Sequence, residues 1–440
     1  MPDSVLLRKL GPASATALVI SNMIGTGIFT TTGFLARDLG SPKLVLLSWA
    51  VGAVCALLGA LCYAELGSNF PRSGGEYVYL REAFGPIWGF LTGWVSFFAG
   101  FSAPVAAAAL AFADYLGAVA PGLRGSGAAQ AVAAALITTL TCLNCFGIQR
   151  GARVQNALTL LKLAILGSFV IAGLAFGRGD WAHLRANGAH AGYGEFAVSL
   201  FWIYLSYSGW NAATYVAEEI RNPQRILPLA LTLGTGLVAV LYLAMNVVMF
   251  YAVPLDAMKG VMGIAGEAAA YLFSPRIAAL FSAAIAMSLI ATVNAMTIAG
   301  PRVYFAMARD GLFFSRAARV HPRWRTPVAA IVGQGICAIL LTFTPFPQLV
   351  VYVGFTLNFF ACLAVLSLFR FRARTDWKRL PAVSFAYPLV PALAVIIGAW
   401  MTWEGIRLRP AISAATGATL LLGAFIYTIR YGARKKWSMK

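Results

Sequence analysis

Two stretches place helix breakers beside hydroxyls inside long apolar runs. They read Ser21-Asn22-Met23-Ile24-Gly25-Thr26-Gly27-Ile28-Phe29 and Leu205-Ser206-Tyr207-Ser208-Gly209-Trp210-Asn211. Glycine is a poor helix former, so the backbone at each stretch leaves the helical ladder. Lipid offers no hydrogen-bond partners, and loosened backbone at that depth must be buried in protein or line a cavity. Amides freed at the start of a half-helix attract anions, and carbonyls freed at the end of one attract cations. The amides around Thr26, Gly27 and Ile28, with the Thr26 hydroxyl, suit a carboxylate. The carbonyls near Met23, Ile24, Leu205 and Ser208 suit an ammonium. A ligand carrying both charges a few Å apart is an α-amino acid. For either glycine motif alone, close helix packing competes with binding. Two such motifs, with Gly25 in the first and Ser206 and Tyr207 in the second, favour binding.

A third group with chemistry is Lys162, within an apolar run and some seven residues from its nearer end. An ionisable side chain at that depth costs roughly 2.5 to 3.5 kcal/mol on insertion scales, so a functional or internally paired role is expected. The competing reading is a stem that stretches to the interface. Other chemistries lack their residues. His183 and His190 fall in one loop and His321 in another, which leaves no histidine for an intramembrane proton relay. Glu65 and Asp114 lie toward span ends, and the remaining carboxylates fall in loops or termini. No clustered nucleophile and base supports an enzyme. Cys142 and Cys145 make a C-x-x-C with no second pair or nearby His, so neither a metal nor another cofactor is expected.

The elements that must position these groups are membrane helices. Hydrophobic residues make up 60% of the 440 and charged ones 11%, and mean hydropathy is +0.76. About 20 apolar residues span the hydrocarbon, and hydropathy gives twelve spans. They cover about 14–35, 43–66, 85–116, 129–148, 155–176, 196 onward, 227–252, 274–305, 327–344, 348–369, 383–402 and 411–430. The first lacks a cleavage site and reads as a full span, not as a signal peptide. Gly85, Gly89 and Gly93 form a small-residue stripe expected to serve helix packing. The net charge of +19 would suggest nucleic acid in a soluble chain, but here its distribution matters more. With a cytoplasmic N-terminus, 24 of the 34 Lys and Arg fall inside, 9 outside and one, Lys162, within the membrane. That is the positive-inside bias, so no nucleic-acid partner is expected and both termini are placed in the cytoplasm.

Spans 1 to 5 begin with a broken helix, and so do spans 6 to 10. An odd number of spans per unit inverts the second copy. Inverted repeats with interrupted segments at matching positions mark the substrate sites of secondary transporters. The expected units are residues 1–176, residues 177–369, and a remainder at 370–440 with spans 11 and 12 and a basic tail.

These motifs carry a resemblance. Gly-Thr-Gly-Ile-Phe at 25–29, Tyr-Ala-Glu-Leu at 63–66, Pro-Arg-Ser-Gly-Gly-Glu-Tyr-Val-Tyr-Leu at 71–80, Tyr-Ser-Gly-Trp-Asn at 207–211 and Glu-Glu-Ile-Arg-Asn-Pro at 218–223 are similar to the amino acid-polyamine-organocation superfamily. The last of them, with the span-5 lysine, most resembles L-type amino acid transporters. The resemblance covers at least spans 1 to 10 and implies an all-α, LeuT-like 5+5 inverted repeat with broken helices 1 and 6. It implies a carboxylate site at Thr26 and Gly27, an ammonium site at the carbonyls of Met23, Leu205 and Ser208, and a family polar position at Asn211. Leu205 stands where L-type relatives place a bulky aromatic gate, so gating there falls to Tyr207 or Trp202. Lys162 matches the lysine that, in sodium-independent members, puts its ammonium near the sodium site of sodium-coupled relatives. Such a lysine could also titrate and couple transport to protons. L-type relatives join a single-span glycoprotein through a cysteine after span 3. The loop Gly117 to Gln130 has none, so no disulfide-linked heavy subunit is expected.

The combined reading is a sodium-independent amino acid carrier in a bacterial inner (plasma) membrane, working by alternating access. Neutral substrates are favoured for want of a buried counter-ion. Exchange and proton symport stay open as modes. Cationic substrates and a non-transporting amino acid sensor on the same fold are the alternatives, and no repeated filter motif supports a channel.

Overall fold

The computed structural model describes residues 10–72, 74–123, 125–146, 152–186, 191–324, 326–380 and 386–432. Arg8, Lys9, Arg124, Arg150, Arg325 and the tail beyond 432, used in the charge reading, and His190, used in the histidine reading, lie outside the described residues. Among those described, every regular element is helical, and the strand-like feature is an isolated parallel bridge between Leu10 and Ile220.

The first apolar run is split. Helix α1 (Pro12–Met23) stops, Ile24 to Thr26 are non-helical, and α2 (Gly27–Leu39) resumes. The chain continues through α3 (Pro42–Asn69), a short amphipathic α4 (Glu76–Phe84), α5 (Pro86–Val119, with a π-helical stretch at Ser96–Ser102), α6 (Ser126–Cys145) and α7 (Ala152–Phe176). Then come α8 (Tyr193–Tyr207), a 3₁₀ segment at Ala212–Glu219, α9 (Pro223–Ala252), the small helices α10 (Leu255–Met258) and α11 (Ile264–Leu272), and α12 (Pro275–Arg309). Helices α13 (Val328–Leu341), α14 (Phe346–Arg372), α15 (Leu389–Leu408) and α16 (Pro410–Tyr427) complete the described residues.

Among the described residues, ten helical spans, with α1 and α2 taken as one, are long and apolar enough to cross a membrane. Two of the twelve expected spans are shorter. The helix α8 has 15 residues and α13 has 14, which at 1.5 Å per residue gives about 21 to 23 Å, under the roughly 30 Å of hydrocarbon. Helix α8 is short because the chain leaves the helix at Ser208 and turns through Gly209, at φ +102°. Span 11 starts at Leu389, six residues later than hydropathy suggests. Large apolar side chains such as Leu160, Ile171, Val240, Leu280 and Leu421 are at least 68% exposed, as lipid-facing positions require.

The split run lies at the centre, α1 against α9 and α7, and α2 against α8. Two of the three stripe glycines serve packing as expected, whereas Gly85, at φ +99°, faces open space and makes a turn. A Cβ at Gly93 would overlap the Met307 thioether, and one at Gly89 would press on Arg81 and Tyr77. The face where α1 begins, termed the N-face, is stitched by polar contacts. Leu10 N–H donates to Glu219 O (2.9 Å), and Arg221 N–H donates to Leu10 O (3.0 Å). Glu65, at the end of α3, accepts from Arg372 Nε (2.7 Å) and Nη2 (2.5 Å), Trp377 Nε1 (2.8 Å) and Leu380 N–H (3.1 Å). Toward the opposite face, Phe34 stacks on Trp202 with ring centroids 4.7 Å apart and lies 5.7 Å from Phe346. There Gly260 N–H donates to Gly33 O (2.8 Å), so the α9–α12 connection covers α2.

Candidate functional site

The break in the first run presents both backbone charges that the sequence suggests. The first amides of α2 have no intrahelical acceptor by construction. Thr26 stands at the N-cap without capping through its side chain, and its carbonyl accepts from Phe29 N–H and the Thr30 hydroxyl, both at 3.1 Å. Gly27 is required by contact. A Cβ there would overlap the Cα and side chain of Ser206, so α2 and α8 touch backbone to backbone at this point. Gly25 is less constrained, since a Cβ would rest 3.6 Å from the Thr292 methyl. The Ser206 hydroxyl donates to Trp202 O (2.8 Å) and lies 2.9 Å from that of Thr31, which holds the two breaks in register.

The carbonyls ahead of the break are met by protein donors. Met23 O accepts from the Tyr242 hydroxyl at 2.7 Å. Lys162 is buried, with Nζ donating to Ile24 O (2.7 Å), Ser21 O (3.2 Å) and the Thr292 hydroxyl (2.9 Å). Three N–H bonds find three acceptors, and the ammonium ties α1 to α7 and α12. The interfacial, snorkelling alternative for this side chain is not what the structure shows.

In the second break, Ser208 N–H donates to Leu205 O (3.0 Å), closing the last turn of α8. Gly209 combines a positive φ with backbone proximity to Asn22, where a Cβ would come within 2.6 Å of the carbonyl carbon. The break-forming glycine thus sits against the residue preceding Met23. Of the two aromatics offered as gates, Trp202 stacks on Phe34, while Tyr207 turns into the α3/α9 core, with its hydroxyl 3.3 Å from Trp49 O and its ring 5.2 Å from that of Tyr242. A cavity of about 20 Å³ lies beside it, lined by Gly52, Ala56, Leu200, Tyr204 and Trp210 among others. Asn211 donates to Glu76 Oε1 at 2.9 Å, and the Tyr63 hydroxyl donates to the same oxygen at 2.7 Å.

The structure therefore brings Met23, Ile24, Gly25, Thr26, Gly27, Ser206 and Lys162 into one buried cluster, with Leu205 and Ser208 at the adjacent chain turn. It directs Tyr207 and Asn211 to neighbouring contacts. Sequence reasoning missed Tyr242, Thr292 and Glu76. Thr292 had a signal, since Ser288 and Thr292 place two hydroxyls one turn apart in an apolar span. Glu76 reads as a loop carboxylate, but the loop helix carries it under the spans. It is buried, and burial pushes its carboxyl above the usual range while the bonds from Tyr63, Asn211 and Tyr215 pull the other way.

A family model described as amino acid permease matches residues 10–425. The serine/threonine exchanger SteT of Bacillus subtilis (strain 168) is 29% identical over 440 residues, covering 99% of this chain and 98% of its own. The human b(0,+)-type amino acid transporter 1 is 31% identical, covering 96% of this chain and 86% of its own. The human large neutral amino acids transporter small subunit 2 is 29% identical, covering 96% and 80%. The chain belongs to the amino acid permease family, and is a multi-pass membrane protein that transports amino acids and not an enzyme.

Proposed function

We propose that the chain is a sodium-independent exchanger of small neutral L-amino acids that works by alternating access. The carrying observation is Lys162, whose ammonium holds two break carbonyls and a hydroxyl on the facing span. That oxygen set suits a small cation, and a tethered cation already fills it. The substrate carboxylate takes the first amides of α2, and its ammonium takes the carbonyls of Met23, Leu205 and Ser208, while Ile24 O stays with Lys162. Tyr242 shares Met23 O and orders the remaining lone pairs.

Neutral substrates are supported by where the buried carboxyls lie: Glu404 sits beside Gly194, at the end of α8 away from its break, and two others sit at the N-face. Glu65 and Glu76 are both engaged by protein donors and leave no bare counter-ion at residues 23–27. Small substrates and exchange are supported by the likeness to a serine/threonine exchanger over nearly the whole of both chains. The architecture we infer is twelve spans in a 5+5 inverted repeat over 1–176 and 177–369, with 370–440 outside it. The broken α8 and short α13 count as spans 6 and 9. The N-face is cytoplasmic, a reading that the bias of Lys and Arg toward its loops supports, in a bacterial inner membrane. The carrier works without a disulfide-linked subunit, because no cysteine lies between α5 and α6. Uptake of labelled serine, alanine, leucine and arginine into proteoliposomes, with and without internal serine and with sodium replaced by choline, tests this reading. Arginine uptake without serine uptake would overturn the substrate, and a sodium requirement would overturn the coupling.

A further inference from the structure

Two buried carboxyls sit at the N-face, and they are treated differently. Glu65 has a guanidinium, an indole N–H and a backbone amide. Glu76 has only neutral partners. Its Oε1 receives the Tyr63 hydroxyl from α3 and the Asn211 amide from just beyond the second break, and Tyr215 of the 3₁₀ segment bonds to it as well. The titratable groups facing it are four phenols, Tyr63 from α3, Tyr79 from its own helix, Tyr204 from α8 and Tyr215. Among the described residues, no Lys, Arg or His reaches it by hydrogen bond or ion pair.

The fit around it is close. Gly75, at φ +49°, leads into α4, and a Cβ there would press on the Tyr215 ring at 3.0 Å. Trp210 packs its ring 4.6 Å from that of Tyr63. One carboxyl oxygen therefore joins α3 to the chain beyond the second break. A buried carboxylate without a cation is costly, whereas the neutral acid is tolerated.

We propose that Glu76 holds a proton while the N-face is closed beneath the substrate site, and gives it to water when that face opens, so that pH sets the rate of exchange. This rests on the alternating-access reading above. Opening moves the segment after the break away from α3. Tyr63 and Asn211 lie on opposite sides of that separation, so the shared oxygen loses a donor and meets water. The O–H bond of the acid then breaks heterolytically, the electron pair stays on the carboxylate and the proton passes to water. Reclosing takes a proton back. In full exchange both half-cycles carry substrate and the proton count is balanced.

The sign follows from linkage. In the closed arrangement burial holds the carboxyl above its ordinary value, and in the open one contact with water returns it toward that ordinary value. The preference for closing is fully present below the open-state value and is lost as pH rises through the closed-state value. Exchange should fall across that window, by at most about tenfold per pH unit for one proton.

The test is exchange of labelled serine against internal serine in proteoliposomes, at equal pH on both sides from 5 to 8.5. Alongside it, the melting temperature of the purified protein is followed over the same range. The wild type should lose both rate and melting temperature as pH rises. Glu76→Gln keeps an oxygen for Tyr63 and Asn211 and should flatten both profiles. Tyr63→Phe leaves Glu76 in place, removes a donor that favours the carboxylate, and should move both falling limbs to higher pH. It decides the matter if Glu76→Gln does not fold. A wild type whose profiles are flat, a Glu76→Gln profile that tracks the wild type, or a Tyr63→Phe profile that does not move would overturn the proposal. Melting profiles that behave as expected in a protein that does not exchange serine would support Glu76 and refute the exchange reading instead.

Discussion

Replacing Lys162 by alanine removes an ammonium that donates to Ile24 O, Ser21 O and the Thr292 hydroxyl. Hydrogen bonds from a charged group contribute about 1.5 to 3 kcal/mol each, and a buried carbonyl left without its donor costs about 1 to 3 kcal/mol. If a single such bond of about 1.5 kcal/mol disappears from the arrangement that holds α1 on α7 and α12, the balance of conformations moves about tenfold. Sodium-free serine exchange by Lys162→Ala should therefore fall at least tenfold. The vacated oxygens should also accept an alkali cation. Thr292 Oγ1 and the two carbonyls lose the ammonium, Thr292 keeping its bond to Ser288 O, and one turn away Ser288 Oγ is buried without a hydrogen-bond partner. Sodium chloride, compared with choline chloride at equal ionic strength, should restore part of the rate in the variant and leave the wild type unchanged. The assay is initial-rate exchange in proteoliposomes, normalised to protein recovered in the membrane. A Lys162→Ala protein that exchanges at the wild-type rate in choline would refute the reasoning.

Three further substitutions separate backbone from side chain and lining from frame. Gly27→Val should abolish exchange while the protein still inserts, because any Cβ at 27 overlaps Ser206; Thr26→Ser keeps the hydroxyl and should stay within about threefold of wild type, an estimate set by its lack of a capping role. Both are read by exchange rate against membrane-inserted protein. Glu65→Ala should cost about 3 to 5 kcal/mol, since it removes the carboxylate paired with the Arg372 charge at 5% exposure. A melting curve in detergent should show a large fall, and adding Arg372→Leu should recover part of it.

The sequence was most informative where one residue type has one physical consequence. Glycines in an apolar run announce a break, and both breaks lie where Gly25 to Gly27 and Gly209 suggest. A lysine seven residues inside such a run announces a buried partner, and Lys162 has three acceptors. What stayed hidden are pairings set by packing across the chain. Tyr242 meets Met23 from 219 residues away, and Thr292 meets Lys162 from 130. Neither pairing leaves a local trace, although the Ser288 and Thr292 hydroxyls one turn apart mark Thr292 itself. Glu76 misleads in a different way, because hydropathy assigns it to a loop by its neighbours, whereas its depth is set by how α4 folds under α3. Helices α8 and α13 show the limit of span counting, since hydropathy measures apolar length and not whether the backbone stays helical through it.

The most direct test of the central claim is counterflow of labelled serine in proteoliposomes that are empty or preloaded with unlabelled serine, each in sodium chloride and in choline chloride. The account predicts rapid uptake into preloaded vesicles at the same rate in both salts, and little into empty ones. Uptake that needs sodium, or that proceeds equally well without internal serine, would contradict it.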